Sequence, residues 1–237
     1  MNSQTNIFRQ LFDRDSSTFT YLLGDLSTAQ AILIDPVAGH ESMYLQLLSE
    51  MGLSLSYALD THVHADHVTA LGTLRELTAC QSMMGAQSEV GCVSATFAEG
   101  DQVCVGNIAL DVLYTPGHTS DSYCFYWQSS EGARVFTGDT LLIRGTGRTD
   151  FQNGDALQQY QSLQRLISLP DETLVYPGHD YKGWSVSTIG EERRFNPRLQ
   201  VNNQREYQEL MANLQLPNPA QMDIAIPANR RCGHRPD

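Results

Sequence analysis

The chain has 237 residues, enough to bury a substantial core and near the upper end of a single domain. Its composition, 41% hydrophobic and 18% charged, is that of a soluble globular protein, and no apolar run approaches the ~20 residues needed to span a bilayer. A formal net charge of −12 argues against nucleic-acid and anionic-membrane partners, because long-range repulsion opposes both.

Met1 to Gln10 carries no apolar signal core, so the cytoplasm is the expected compartment. Phe19 to Leu23 and Ala31 to Ile34 read as two strands of a hairpin, with Gly24-Asp25 opening the turn. Met43, Tyr44, Leu47, Leu48 and Met51 keep helical spacing over Glu41 to Met51, and Gly52 follows as a stop. Leu55 to Asp60 is a strand, and Val68, Leu71, Leu74 and Leu77 predict a helix starting just past His67. Short strands are expected at Gln81 to Gly85, Gln102 to Val105, Ile108 to Tyr114, Ser122 to Trp127 and Ala133 to Thr137. Asp155 can cap a helix carrying Leu157, Tyr160, Leu163, Leu166 and Ile167 on one face. Leu174 to Tyr176 is a further strand, and Gln204 to Leu214 is a last helix before a Pro-rich tail. Strand clusters and helices in two similar passes suggest a layered α/β domain, two sheets face to face with helices outside, and no linker composition divides the chain.

The five cysteines are odd in number and irregularly spaced, with no C-x-x-C, so neither a disulfide framework nor a structural zinc cluster is expected. The histidines are more telling. Of seven, five stand at the ends of predicted strands: His62, His64 and His67 in Thr61-His62-Val63-His64-Ala65-Asp66-His67, then His118 in Pro116-Gly117-His118, and His179 in Pro177-Gly178-His179. Asp139 in Gly138-Asp139 ends another strand. Three imidazoles and a carboxylate crowded after one apolar strand would each be costly to bury alone, and a shared cation satisfies them all. Gly117, Gly138 and Gly178 let the backbone pass close to such an ion or adopt positive φ. His40 and His234 lie in polar surroundings and are expected to be solvated.

The series H-x-H-x-D-H, Gly-His, Gly-Asp, Gly-His resembles the metallo-β-lactamase superfamily over about Thr20 to Asp180. The resemblance implies an αββα sandwich in one domain spanning 1–237, with the segment from about 190 to 237 packing back on it. Two branches resemble the chain best. One is glyoxalase II, a hydroxyacylglutathione thioester hydrolase whose two metals are bridged by the aspartate. The other is the persulfide dioxygenase branch, which holds one non-haem iron. Phe8-Arg9-Gln10-Leu11-Phe12-Asp13, Arg144-Gly145-Thr146-Gly147-Arg148-Thr149-Asp150-Phe151-Gln152, Tyr176 to Lys182, Phe195-Asn196-Pro197-Arg198-Leu199 and Pro227-Ala228-Asn229-Arg230-Arg231-Cys232-Gly233 all look like the second branch. All seven residues of a two-metal site are present, so ligand identity alone does not separate hydrolase from dioxygenase.

Carried over to this chain, the dioxygenase resemblance implies one Fe(II) held by His62, His118 and Asp139, the two-histidine, one-carboxylate face of non-haem oxygenases. His64, Asp66, His67 and His179 would orient the ligands and bound water. Glutathione persulfide and O2 would be the substrates, sulfide detoxification the role, and a homodimer the assembly. Arg148, Tyr181 and Lys182 would hold the glutathione carboxylates; the plainer readings are an Arg148–Asp150 surface pair, a core tyrosine and a solvated lysine. Cys232, in a tail that approaches the active site in the family, is a candidate thiol, whereas Thr146 stands where some relatives carry cysteine.

Overall fold

The computed structural model describes residues 6–217 and 221–234, so half of the Met1 to Gln10 stretch and the ends of the predicted tail lie outside the described residues. In chain order the strands and helices are β1 (Asn6–Asp13), β2 (Thr18–Asp25), β3 (Gln30–Ile34), α1 (Glu41–Glu50), β4 (Ser54–Leu59), α2 (Leu71–Thr78), β5 (Gln81–Gly85), β6 (Ala95–Phe97), β7 (Gln102–Val105), β8 (Ile108–Tyr114), β9 (Tyr123–Ser129), β10 (Gly132–Gly138), α3 (Ala156–Leu166), β11 (Leu174–Pro177), β12 (Ser187–Thr188), α4 (Ile189–Phe195), α5 (Gln204–Ala212) and α6 (Met222–Asn229). This is the α/β class expected from the sequence. Two compact units are formed, one from described residues 6–97, 102–110 and 221–234, the other from 98–101 and 111–217. Among the described residues no helix is long and apolar enough to cross a membrane.

The first unit holds a sheet in the order β1-β2-β3-β4-β5-β6. Pairing is antiparallel from β1 to β3 and parallel from β3 to β6. Every residue of β2 is buried, as are four of the five in β3, which suits central strands covered on both faces. Leu22, Leu33, Leu55, Tyr44 and Leu48 of α1, Leu71 and Leu74 of α2, and Met84 make the core. Because β3 and β4 run parallel, the segments leaving them, Asp35 and Asp60 to His67, emerge at the same edge.

Four local expectations need correction here. Gly24 and Asp25 do not open the hairpin turn; both pair within the strands, opposite Ala31 and Gln30. Gly24 is there for packing, since a Cβ would lie 2.5 Å from Leu53 Cδ1. Asp25 accepts from Ser27 N (2.7 Å) and Asn107 N (2.6 Å), anchoring the turn from inside the strand. The helix after His67 begins only at Leu71, because Thr69 bridges to Val37 and donates its N–H to Asn229 Oδ1 at 2.8 Å. The Pro-rich tail contains α6, with Pro227 inside it. A disulfide also joins Cys92 to Cys232, 140 residues apart with Cα atoms at 6.0 Å. Irregular spacing in the chain gave no sign of a pairing made by the fold. Such bonds are rare in reducing compartments, which sets this one in tension with a cytoplasmic location.

A second sheet runs β12-β11-β10-β9-β8-β7, with β9 and β10 a tight hairpin and β10 parallel to β11. That parallel pair brings Gly138-Asp139 and Gly178-His179 to one edge, where Gly178 N donates to Gly138 O at 2.7 Å. Cys124, Val135, Leu163, Leu166, Val175, Tyr207 and Met211 pack as its core. Asp155 caps α3 as predicted, accepting from Leu157 N (2.7 Å) and Gln158 N (3.1 Å). Glu192 of α4 is fully buried and gathers Arg144 (backbone N at 2.8 Å, and the guanidinium), Ser187 Oγ (2.6 Å) and Asn196 Nδ2 (2.9 Å).

Removing Glu192 takes the acceptor from Arg144 N, Ser187 Oγ and Asn196 Nδ2, while the Arg144 guanidinium keeps its pair with Glu191. Glu192→Ala is therefore expected to lower unfolding free energy by about 1–3 kcal/mol, read from urea denaturation. A pH-dependent contribution comes from Asp13 at the end of β1. Burial alone would raise its pKa, but hydrogen bonds from His40 Nε2 (2.9 Å), Ser16 Oγ (2.5 Å) and Ser16 N (2.8 Å) hold it down to about 2, against 3.8 for a free carboxyl. A depressed folded-state pKa stabilises above the unfolded value and is lost as pH falls through the folded one. Asp13→Asn should thus be less stable than wild type at pH 7 by about 1–2 kcal/mol, and the gap should close between pH 3.8 and 2 in denaturation curves.

Candidate metal centre

Leaving β4, the chain enters Asp60 to His67 without forming helix or strand, and His62, His64 and His67 are all buried. The imidazoles lie close together and tilted to one another, with centroids 4.2 Å apart for His62–His64 and 4.3 Å for His64–His67. Asp35, at the end of the neighbouring parallel strand, organises them. Its carboxylate accepts from Thr61 N (2.7 Å), Thr61 Oγ1 (3.0 Å) and His64 Nε2 (3.1 Å). Thr61 Oγ1, donating to Asp35, accepts in turn from His62 Nδ1 at 2.9 Å. His67 Nδ1 donates to Asp66 Oδ2 at 2.8 Å, and Thr18 Oγ1 donates to the same oxygen at 3.0 Å.

Each ring therefore has one nitrogen fixed on oxygen and presents the other as the lone-pair atom, which is how ligating histidines are oriented. His64 Nδ1 is buried with no hydrogen-bond partner among the described residues. Burial opposes charge on this ring, yet Asp35, Asp60 and Asp66 outweigh it and push its pKa up to about 9. A divalent cation held beside this ring would oppose that charge and favour its neutral form. Ligand atoms of His64, Asp66 and His67 lie within 4.8 Å of one another, as do those of Asp35, Asp60 and His64. The donor set fits a divalent metal. Asp35 and Asp60 were not singled out from the sequence, although each is an acidic residue directly after a wholly apolar strand end, a signal that could have found them.

In the second unit, His118 follows β8, Asp139 follows β10 and His179 follows β11. His118 Nδ1 donates to the Arg148 carbonyl oxygen at 2.7 Å, so Nε2 carries the lone pair, and that atom lies 3.5 Å from Asp139 Oδ2. The other Asp139 oxygen accepts from His179 Nδ1 at 2.6 Å. Neighbouring ligands on one ion at metal distances of about 2.1 Å sit about 3–3.5 Å apart, so this pair has the spacing of shared coordination. Gly117 (φ +137°) lies against α3, where a Cβ would fall 2.2 Å from Gln159 N. Gln159, fully buried and absent from the sequence reading, donates to Gly147 O (3.0 Å) and accepts from Tyr207 Oη (2.7 Å), tying the Gly147-Arg148 turn to the helices.

The residues expected to hold substrate lie in the same unit. Arg148 grips Asp150 with two hydrogen bonds (Nε at 2.6 Å, Nη2 at 2.7 Å), donates to Pro217 O (2.7 Å) and lies over the Phe151 ring at 4.1 Å. Tyr181 is 71% exposed, not a core residue, and its ring is parallel to that of His179 at 5.9 Å. Lys182 Nζ lies over Trp184, 5.1 Å from the ring centre. Trp184, which the sequence reading passed over, adds an exposed aromatic to this rim. Cys232 is bonded to Cys92 and so offers no free thiol in this structure. Of the two histidines expected to be solvated, His40 pairs with Asp13 and His234 Nε2 lies 3.4 Å from Glu76.

A family profile described as the metallo-beta-lactamase superfamily matches residues 13–89 and 96–179. The chain is 46% identical to the mitochondrial persulfide dioxygenase ETHE1 of Mus musculus and, to the same degree, of Homo sapiens, over 96% of this chain and 89% of theirs. It is 32% identical to a probable hydroxyacylglutathione hydrolase of Schizosaccharomyces pombe, over 85% of this chain and 88% of that one. The crystal structure of ETHE1 from Myxococcus xanthus superposes with a TM-score of 0.92 at 53% identity, covering 96% of this chain and all of that one (100%).

The Gly117 contact gives a direct check on how the His118 loop is held. Gly117→Ala requires both a strained φ and displacement of α3 backbone, so it should destabilise by about 2–3 kcal/mol and weaken metal retention. Thermal denaturation and metal content after dialysis would measure the two effects.

Proposed function

We propose that this chain, which belongs to the metallo-β-lactamase superfamily, is a persulfide dioxygenase that converts glutathione persulfide and O2 to sulfite and glutathione. The observation that carries this reading is near end-to-end likeness to persulfide dioxygenases at 46% identity, against 32% to a probable thioester hydrolase. The hydrolase reading rests on the presence of seven possible ligands and on that lower likeness. Balanced, the reaction takes glutathione persulfide, O2 and water to glutathione, sulfite and two protons. The sulfur–sulfur bond breaks and the outer sulfur gains three oxygens.

His62, His118 and Asp139 would hold one Fe(II), a two-histidine, one-carboxylate donor set suited to that ion. When bound, iron supplies the one-electron chemistry that lets O2 react with a sulfur anion. The protein's part is orientation. Thr61 and Asp35 set the His62 tautomer, the Arg148 carbonyl sets that of His118, and His179 holds one Asp139 oxygen so that the other faces His118. His64, Asp66 and His67 orient the loop rather than carry protons. Tyr181, Lys182 and Arg148 receive the glutathione carboxylates, Arg148 by exchanging its Asp150 contact for substrate.

Oxygen uptake with glutathione persulfide, run beside elemental analysis of the same sample, tests this. About one iron per chain and persulfide-dependent uptake are expected, with Asp139→Ala losing at least about 100-fold in rate. Two zinc ions with hydroxyacylglutathione cleavage, or undiminished turnover by Asp139→Ala, would overturn it.

A further inference from the structure

The tail motif around Asn229 lies far from the ligands in the chain, and its place in the fold gives it a role. Asn229, the last residue of α6, is fully buried. Its side-chain Nδ2 donates to the backbone carbonyls of His64 (2.9 Å) and His67 (2.8 Å), and its Oδ1 accepts from Thr69 N (2.8 Å). These partners stand 160 to 165 residues earlier in the chain. Because residues 62–67 form neither helix nor strand, their buried carbonyls have no ladder to pair with, and the Asn229 amide takes that place.

Asn229 is itself held in position. Cys232 O accepts from Gly72 N at 2.9 Å, and Gly233 lies so close to Thr69 that a Cβ would sit 2.1 Å from its carbonyl oxygen. The disulfide from Cys232 to Cys92 then fastens the segment to the stretch between β5 and β6. Hydrogen bond, close packing and covalent bond all act within four residues of Asn229.

We propose that Asn229 is a positioning residue for the metal centre, fixing the backbone at His64 and His67 so that the loop presents His62 to the ion, and that the Cys92–Cys232 disulfide keeps Asn229 in register. The inference rests on reading this loop as a metal site and is independent of the substrate.

Cobalt(II) serves as the probe, in wild type, Asn229→Ala and Cys92→Ser. The readouts are the cobalt ligand-field spectrum, the rate of cobalt loss to a chelator and the melting temperature of each metal-free protein. Asn229→Ala should lose cobalt about 10- to 100-fold faster, with an altered spectrum. Cys92→Ser, which removes no contact of Asn229, should shift both readouts the same way by less, and it decides the matter alone if Asn229→Ala does not fold. A purely architectural asparagine would lower the melting temperature while leaving spectrum and loss rate as in wild type, and that result would overturn the proposal. Wild type that takes up no cobalt would instead remove the metal-site reading, and this inference with it.

Discussion

A single buried carboxylate, that of Asp35, is the constraint on which the histidine loop depends. It sits where β3 ends, with a positive φ of 51°, its own N–H donating to Leu59 O (2.8 Å) and its carbonyl accepting from Thr20 Oγ1 (2.7 Å). Fixed in that way, its two oxygens orient Thr61 and His64, and through Thr61 they orient His62. An isolated buried charge would be prohibitive, so the arrangement is stable only because each oxygen is matched by donors and by an expected cation. The strained φ is consistent with a residue placed for the site rather than for the strand.

The ligand-type residues were legible in the sequence because chemistry and position coincide there: histidines follow apolar strands, with glycines beside them. What surrounds them was not. Asp35 and Asn229 act through contacts between segments far apart in the chain, and no local period reports such a contact. The Cys92–Cys232 pair was invisible for the same reason. Among the elements, β5, β7 and β8 matched their predicted limits, whereas β1 escaped notice because its residues are only half-buried and alternate weakly. The helix α6 was hidden by Pro227, whose presence argues against helix, yet only eight residues are needed to carry Asn229 to its partners.

Two asparagines in the motifs near the C-terminal end do the same kind of work in their respective units. Asn196 directs its Nδ2 at the carbonyls of Leu142 (3.2 Å) and Gly145 (2.9 Å) and at Glu192 (2.9 Å), closing the turn that leads to Gly147 and Arg148. Asn229 does so for the histidine loop. Site loops lack regular backbone pairing, and a side-chain amide, with two donors and an acceptor in one plane, can replace a length of missing ladder. That accounts for asparagine in both motifs without assigning either residue any contact with substrate.

The two histidines proposed as ligands differ in how their tautomers are secured. His62 relies on a side chain, the Thr61 hydroxyl, which substitution can delete. His118 relies on the main-chain carbonyl of Arg148, which substitution cannot remove. The Arg148 side chain is therefore at liberty to change partners, from Asp150 to a substrate carboxylate, without disturbing the imidazole that its own backbone holds. Gln159 and Gly147 strengthen this separation, since they fix the turn from the helix side while the guanidinium faces away over Phe151. The two roles proposed for this loop, orienting a ligand and exchanging contacts with a substrate, fall on different atoms of Arg148, its carbonyl oxygen and its guanidinium.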